Sequence, residues 1–210
     1  MFALSLSPES LIETFGLIGL FLIIFAESGL LIGFFLPGDS LLFTAGAVAA
    51  GVLKSQIDVQ FNIWVLLIGC FVAAVAGDQV GYLFGLKVGP SLFGRPDSKF
   101  FKAEYVDKAQ EFFARYGPKA IVLARFVPIV RTFCPIVAGV GRMKYQTFVR
   151  YNVVGGLLWG VGVTLLGYFF GQIEVVKENI EVAILGVIGI STLPIVIEVV
   201  RHRRAARADA

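Results

Sequence analysis

The sequence predicts an all-α membrane protein, in which two re-entrant helical hairpins face each other within an inverted repeat. Three observations support this prediction. Of the 210 residues, 57% are hydrophobic and only 16% are charged, whereas a soluble domain usually has about 25% charged residues. The apolar segments have two lengths, one sufficient to cross a bilayer and one too short. Ionisable residues nevertheless occur inside these segments, where they are costly.

The first half of the predicted repeat covers residues 11–86. Residues 11–36 are apolar and would form a helix of about 39 Å, which is long enough to cross a membrane at a tilt. Residues 37–53 are apolar but too short to cross, and they begin with Pro-Gly, a pattern that indicates a re-entrant hairpin. Residues 62–86 form a second full span.

A change in composition marks residues 87–119, where seven basic and four acidic residues are interleaved. Six aromatic residues recur there at roughly helical spacing. We therefore predict an amphipathic helix that lies at the cytoplasmic interface. A plain solvated loop is the alternative, which the aromatic residues disfavour.

The second half of the predicted repeat covers residues 120–171. Residues 120–140 are apolar but contain two prolines and two arginines, which do not suit a straight helix facing lipid. This composition predicts a second re-entrant hairpin. Residues 148–171 and 179–200 are further spans, so that the prediction contains about four full transmembrane helices.

Similar motifs in the two halves support the repeat, because transporters commonly contain inverted repeats around a site at the membrane midplane. The alternative is that the two halves share glycines by chance, as any membrane protein can. The comparison matches Asp78 with Asn152. The motifs are TAG at 44–46 and VAG at 137–139 in the hairpins, and GDQVGYLFG at 77–85 and NVVGGLLWG at 152–160 in the spans.

The distribution of basic residues predicts the orientation. The positive-inside rule places the basic segment 87–119 and the tail 201–210, RHRRAARADA, in the cytoplasm. With these two segments fixed, the hairpins enter from opposite faces of the membrane. Both chain termini are then cytoplasmic.

Five ionisable residues lie inside the apolar segments, where each would cost about 2.5–3.5 kcal/mol at the bilayer centre. The functional interpretation is a transport site. Glu27 and Asp39 would take up protons. Arg125 and Arg131 would bind an anionic head group, because a guanidinium group donates paired hydrogen bonds to phosphate and keeps its charge. The alternative is a buried ion-pair network that only stabilises the fold. The fifth residue, Asp78, is interpreted with Asn152 as a supporting polar residue.

Other residue types exclude several classes of site. The single histidine, His202, lies in the charged tail, so that we expect neither a histidine-based metal site nor a Ser-His-Asp triad. Cys70 and Cys134 lie in apolar segments and are predicted to be buried thiols rather than a disulfide. Trp64 and Trp159 are interpreted as interface anchors or packing residues.

Three long segments carry a more specific pattern. They are FAESGLLIGFFLPGDSLLFTAGAVAA at 25–50, AGDQVGYLFGLKVG at 76–89 and FFARYGPKAIVLARFVPIVRTFCPIVAGVGRMKYQTFVRYNVVGGLLWG at 112–160. Together they resemble the DedA family of bacterial inner-membrane proteins, which is related to the eukaryotic VTT-domain (SNARE-associated Golgi) lipid scramblases. The resemblance covers roughly residues 15–175, and its arginine-proline segment is quite specific.

The resemblance implies a multi-pass protein of the bacterial inner membrane that supports the cell envelope. Family members return undecaprenyl phosphate across the membrane or move phospholipids such as phosphatidylethanolamine, and proton-motive force is implicated. By motif, the acids tied to activity in the family correspond to Glu27 in AES and Asp39 in PGDS. The arginines correspond to Arg125 in ARFVP and Arg131 in VRTF.

We therefore expect a proton-coupled flippase for polyprenyl phosphate, with an anionic lipid head group and protons as its partners. No cofactor, metal or nucleic acid is expected. The alternatives are a phospholipid scramblase, a proton-coupled antiporter of small ions or drugs, and a membrane enzyme acting on lipid phosphates. The enzyme alternative is disfavoured, because the membrane segments contain no evident pair of nucleophile and base. A homodimer is compatible with the sequence but not required by it.

Overall fold

Helices make up most of the part of the chain that the computed structural model describes, which is residues 8–30, 36–53, 59–93 and 111–174 with the single residues 182 and 186. No strand occurs among these residues, and the all-α prediction is confirmed. Residues 111–116 are also helical. The principal helices are α1 (Pro8–Gly29), α2 (Gly38–Ala49), α3 (Ile63–Phe93), α4 (Lys119–Ala124), α5 (Pro128–Val140), α6 (Tyr145–Gly156) and α7 (Gly162–Gly171), and a π-helical turn (Leu157–Val161) joins α6 to α7.

Three helical stretches are long and apolar enough to cross a membrane. They are Ser10–Gly29, Ile63–Gly89 and Tyr145–Gly171. Large apolar side chains cover their outer surfaces, as expected where helices contact lipid. Ile18, for example, is 75% exposed and Trp64 is 71% exposed. These stretches correspond to three of the four predicted spans.

The rest of the prediction lies mainly outside the described residues. The last span, 179–200, is described only at residues 182 and 186, and the tail 201–210 is not described. Residues 94–110 of the predicted interfacial helix also lie outside the described residues. Its described end is helical, with Phe112 and Tyr116 exposed and Phe113 packed inward.

Two helix boundaries differ from the prediction. α1 ends at Gly29 rather than near residue 36, although the sequence beyond is equally apolar. At Gly29 the backbone of α1 touches the backbone of α3 at Gly77, and a Cβ on Gly29 would overlap the Gly77 carbonyl. α3 continues to Phe93, so that residues 87–93 continue the helix of the second span.

The two short apolar segments form short helices. Residues 37–53 contain α2 and a closing turn, so that they do not fold back as a hairpin by themselves. Residues 120–140 contain α4 and α5, which a turn at Arg125 and Phe126 separates. Val127 has an extended backbone before Pro128, as expected for a residue preceding proline. α2 has 12 residues and α5 has 13, so that each is about 18–20 Å long and too short to cross a bilayer.

The two short helices pack against the spans in matching ways: α2 lies against α7, and α5 lies against α3. At each interface the backbones touch at two glycines, because a Cβ on either glycine would overlap a carbonyl group of the facing helix. The two contact positions on each helix are separated by the same spacing. They are Phe43 and Gly46 on α2 against Thr164 and Gly167 on α7, and Ile136 and Gly139 on α5 against Tyr82 and Gly85 on α3.

This correspondence aligns Gly85 of α3 with Gly167 of α7, a register in which Asp78 and Asn152 are not counterparts. The sequence comparison paired Asp78 with Asn152 because several glycines recur in both motifs and allow more than one register. In the structure, Asp78 and Asn152 instead bind the same side chain.

Two apolar cores lie beneath the short helices. The first involves α1, α2 and α3 and includes the buried Trp159. The second joins α3 to α4, α5 and α6, and its central pair is Tyr82 and Phe148, whose ring centroids are 4.5 Å apart. The Tyr82 hydroxyl donates to the Met143 carbonyl at 2.5 Å, which ties α3 to the start of α6. Cys70 and Cys134 are buried and free, as the sequence predicted.

The glycine contacts predict which substitutions destabilise the fold. We expect Gly46→Ala and Gly139→Ala each to lower stability by about 1–3 kcal/mol, because the added methyl group forces apart backbones that already touch. Gly162→Ala is the matched control, since no atom lies within 4 Å of the position of its Cβ. Thermal unfolding in detergent, followed by size-exclusion chromatography, measures the difference. Equal unfolding temperatures for all three variants would contradict the close contacts.

Candidate functional site

The structure brings all six predicted site residues into the interior, where they form two clusters. Asp39 keeps partial exposure, with 17% of its side chain accessible. The other five are almost completely buried, at 3% exposure or less: Glu27, Asp78, Arg125, Arg131 and Asn152. The sequence indicated these residues by their cost in the membrane, but it did not indicate which residues would pair.

The first cluster, called the Arg131 cluster, contains Glu27, Asp39, Arg131 and Trp159. Arg131 lies in the first turn of α5, where it donates from Nη1 to Asp39 Oδ1 at 2.7 Å and from Nη2 to Glu27 Oε1. Glu27 comes from the end of α1, and Asp39 comes from the first turn of α2. The guanidinium group therefore connects three helices.

The second cluster, called the Arg125 cluster, contains Asp78, Arg125 and Asn152. Arg125 follows α4, and its Nη2 donates to Asp78 Oδ2 and to Asn152 Oδ1, each at 2.5 Å. Asn152 in turn donates from Nδ2 to the Val75 carbonyl of α3 at 3.1 Å. This amide is therefore fixed to the span that carries Asp78, and both of them hold Arg125.

Trp159 is the member of the site that the sequence analysis missed. It was interpreted as an interface anchor or packing residue, but it is only 1% exposed. Its Nε1 donates to Asp39 Oδ1 at 2.7 Å, and its ring centroid lies 4.3 Å from Arg131 Cζ. The available signal was its position between glycines in the motif GGLLWG at 155–160. The π-helical turn that directs Trp159 inward has no comparable sequence signature.

Glycines make room for the charged groups at two positions. A Cβ on Gly38 would overlap the Glu27 carboxylate, so that a larger residue there would displace this acid from its place beside α2. A Cβ on Gly155 would lie 2.9 Å from Arg125 Nε and 2.8 Å from its Cδ. The Pro-Gly of the first short segment and the double glycine of α6 thus serve the site as well as helix packing.

Several buried polar atoms in the clusters have no hydrogen-bond partner among the described residues. The donors are Nε and Nη1 of Arg125 and Nε of Arg131, and the acceptors are Oε2 of Glu27 and Oδ1 of Asp78. An unsatisfied buried polar group costs about 1–3 kcal/mol, and more when it is charged. The interior therefore has unused capacity to bind a polar or anionic group.

The charge differs between the clusters. The Arg125 cluster has one guanidinium group and one carboxylate, which neutralise each other. The Arg131 cluster has one guanidinium group and two carboxylates, and so carries one excess negative charge when both acids are ionised. Asp78 also lies within electrostatic range of Arg131. In the described part of the chain, no group of three or more His, Cys, Asp or Glu residues is arranged to hold a metal ion.

Comparison with known proteins adds independent findings. The VTT domain family model matches residues 36–169. The protein DedA of Escherichia coli K12 is 50% identical over 191 residues, which cover 91% of this chain and 85% of DedA. An uncharacterised membrane protein of Mycobacterium leprae is 45% identical over 192 residues, covering 91% and 83% of the two chains.

A more distant relative is the inner membrane protein YqjA of E. coli K12. It is 36% identical over 156 residues, which cover 74% of this chain and 68% of YqjA. No solved structure matches this chain.

The Arg125 cluster predicts a specific pattern of stability. We expect Arg125→Leu to destabilise the protein by about 3–5 kcal/mol, because it leaves the Asp78 carboxylate buried without its counter-charge. The double variant Arg125→Leu/Asp78→Leu should be more stable than this single variant, since neither charge remains. Thermal unfolding in detergent measures both effects. A double variant as unstable as Arg125→Leu would contradict the pairing.

Proposed function

Because this chain belongs to the DedA family of VTT-domain membrane proteins, we propose that it is a proton-coupled lipid transporter of the bacterial inner membrane that moves undecaprenyl phosphate for cell-envelope synthesis. The observation that carries the proposal is the pair of buried arginines whose N–H groups are only partly used. We propose transport rather than catalysis, because the clusters consist of groups that bind and balance charge.

Arginine suits a phosphate head group for geometric reasons. Its planar guanidinium group donates two parallel hydrogen bonds to a phosphate, and charged hydrogen bonds are about twice as strong as neutral ones. Arg131 already makes two such bonds, to Glu27 and Asp39. A phosphate would replace one or both carboxylates as its partner. The unpartnered Nε and Nη1 of Arg125 offer a second set of donors.

Proton uptake would release Arg131 for this exchange. An isolated charge in an apolar interior is strongly unfavourable, so that the excess negative charge of the Arg131 cluster favours binding of one proton. Asp39 Oδ1 accepts hydrogen bonds from both Arg131 and Trp159, so that this oxygen has two donors. Glu27 Oε2 has no partner among the described residues, although the Gly38 backbone N–H faces this carboxyl group. We therefore assign the proton to Glu27.

The short helices suggest how a head group reaches the clusters. A helix that ends inside a membrane leaves backbone groups that lipid cannot satisfy, so that its end has to face protein, water or a ligand. Asp39 is in the first turn of α2 and Arg131 is in the first turn of α5. We propose that these ends enter the membrane from opposite faces, within an inverted repeat over 11–86 and 120–171, with both chain termini cytoplasmic. The isoprenoid tail would remain in lipid.

Removal of the central arginine tests the head-group role. We expect Arg131→Ala to lower the transport of undecaprenyl phosphate by about 10- to 100-fold, because two charged hydrogen bonds are lost. Arg150→Ala is the matched control, since Arg150 lies on the exposed surface of α6. The assay uses proteoliposomes with labelled lipid and an imposed pH gradient, and size-exclusion chromatography verifies folding.

Two outcomes would contradict the proposal. Normal transport by folded Arg131→Ala would exclude the head-group role. Equal transport of phosphatidylethanolamine without any effect of the gradient would instead indicate a phospholipid scramblase.

Infrared spectroscopy tests the assignment of the proton. We expect the protein to show the C=O stretch of one buried protonated carboxylic acid, because the Arg131 cluster is neutral only with one proton bound. Removal of either carboxylate makes the cluster neutral without a proton, so that Glu27→Gln and Asp39→Asn should both abolish the band. The residue that carries the proton is identified by ¹³C labelling of the side-chain carboxyl groups: labelling of glutamate should shift the band, and labelling of aspartate should not. Glu13→Gln is the control and should retain the band, because Glu13 is exposed on α1 and lies outside both clusters. A shift with labelled aspartate would show that the assignment is reversed.

A further inference from the structure

We propose that Trp159 is a positioning residue of the head-group site, because its indole N–H holds Asp39 while its ring holds Arg131, so that Arg131 is able to exchange a carboxylate for an anionic lipid phosphate. This inference rests on the proposed function and adds a residue to it. Trp159 acts through Arg131 and Asp39 and has no required contact with the lipid itself.

The backbone directs Trp159 specifically into the site. It lies within the π-helical turn Leu157–Val161, and such turns often occur at functional sites. The two preceding residues, Leu157 and Leu158, are 53% and 51% exposed, whereas Trp159 is 1% exposed. A π-helical turn inserts one extra residue into the helical repeat and so changes the direction of the side chains around it. The large indole therefore points to the charged interior rather than to lipid.

The indole and the guanidinium group share one acceptor. Trp159 Nε1 and Arg131 Nη1 both lie 2.7 Å from Asp39 Oδ1. When Arg131 leaves Asp39 to bind a phosphate, the carboxylate keeps the indole N–H as a donor. Without Trp159, this exchange would leave a largely buried carboxylate oxygen unsatisfied, which is costly. The shared acceptor therefore makes the release of Arg131 easier.

The ring also leaves the hydrogen-bonding edge of Arg131 available. A cation above an aromatic face is attracted to it without using any N–H group. Trp159 covers the guanidinium group at 4.3 Å from Cζ to the ring centroid, and Arg131 Nε has no partner among the described residues. Glu27 on α1 and Asp39 on α2 hold the other two nitrogens. Trp159 thus fixes the orientation of Arg131 during the change of partner.

A double-mutant cycle tests this role through binding. We expect Trp159→Phe to weaken the binding of undecaprenyl phosphate by about tenfold, because it keeps an aromatic face but removes the donor to a charged acceptor. In an Asp39→Asn background the same substitution should change binding by less than about twofold, since no carboxylate is then left unsatisfied. Trp64→Phe is the matched control, because Trp64 is exposed at the start of α3. Binding is measured with radiolabelled lipid on the purified full-length protein.

Intrinsic fluorescence gives a second readout that needs no lipid. Trp64 and Trp159 are the two tryptophans of the chain, so that Trp64→Phe leaves Trp159 as the single indole fluorophore. We expect its emission maximum to shift when Asp39→Asn is added, because a charge next to the indole is removed. Arg150→Ala in the same background should leave the emission unchanged.

The outcomes separate this inference from the proposed function. Equal weakening by Trp159→Phe in both backgrounds would show a packing role and overturn the inference, as would an emission maximum unaffected by Asp39→Asn. If the wild-type protein binds uncharged undecaprenol as tightly as undecaprenyl phosphate, or binds neither, the proposed substrate is wrong and the head-group role of Trp159 falls with it. Tight binding that depends on the phosphate, together with a smaller effect of Trp159→Phe in the Asp39→Asn background, would support both the proposed substrate and the role of Trp159.

Discussion

Ion pairing in an apolar interior is the constraint on which the arrangement of the helices depends. Two guanidinium groups meet three carboxylates there, and a charge that loses its partner in such a place destabilises the protein strongly. The partners come from α1, α2, α3, α5 and the turn after α4, which have to approach closely. Glycine backbones at Gly29 and Gly77 allow α1 to meet α3 beside the acids. Helix packing and charge pairing thus impose the same close contacts.

Much of the site could be predicted from single residues, because a charge in an apolar segment is conspicuous in any sequence. The free-energy cost of a charge in the membrane was enough to indicate Glu27 and Arg131, which are buried together in the structure. The pairing itself could not be predicted, since it depends on which helices touch. The role of Trp159 could not be predicted for a different reason. The extra residue of the π-helical turn redirects its side chain, and such a turn produces no periodic pattern in the sequence.

The same distinction applies to the fold. Hydropathy located three spans and the two short segments, and Pro128 marked the break before α5. It placed the end of α1 too late, because apolar residues continue after Gly29, where the helix ends in contact with α3. The buried charges form two clusters that differ in charge and in hydrogen bonding. The Arg125 cluster is neutral and held by an amide, whereas the Arg131 cluster has an excess acid and a shared acceptor.

The matching glycine contacts of α2 with α7 and of α5 with α3 have a consequence for the connectivity of the fold. α2 belongs to the first half of the chain and packs on α7 of the second half, whereas α5 belongs to the second half and packs on α3 of the first. The two halves thus exchange their short helices in the manner of a domain swap. Separation of the chain between α3 and α4 would therefore leave each half without the main partner of its short helix.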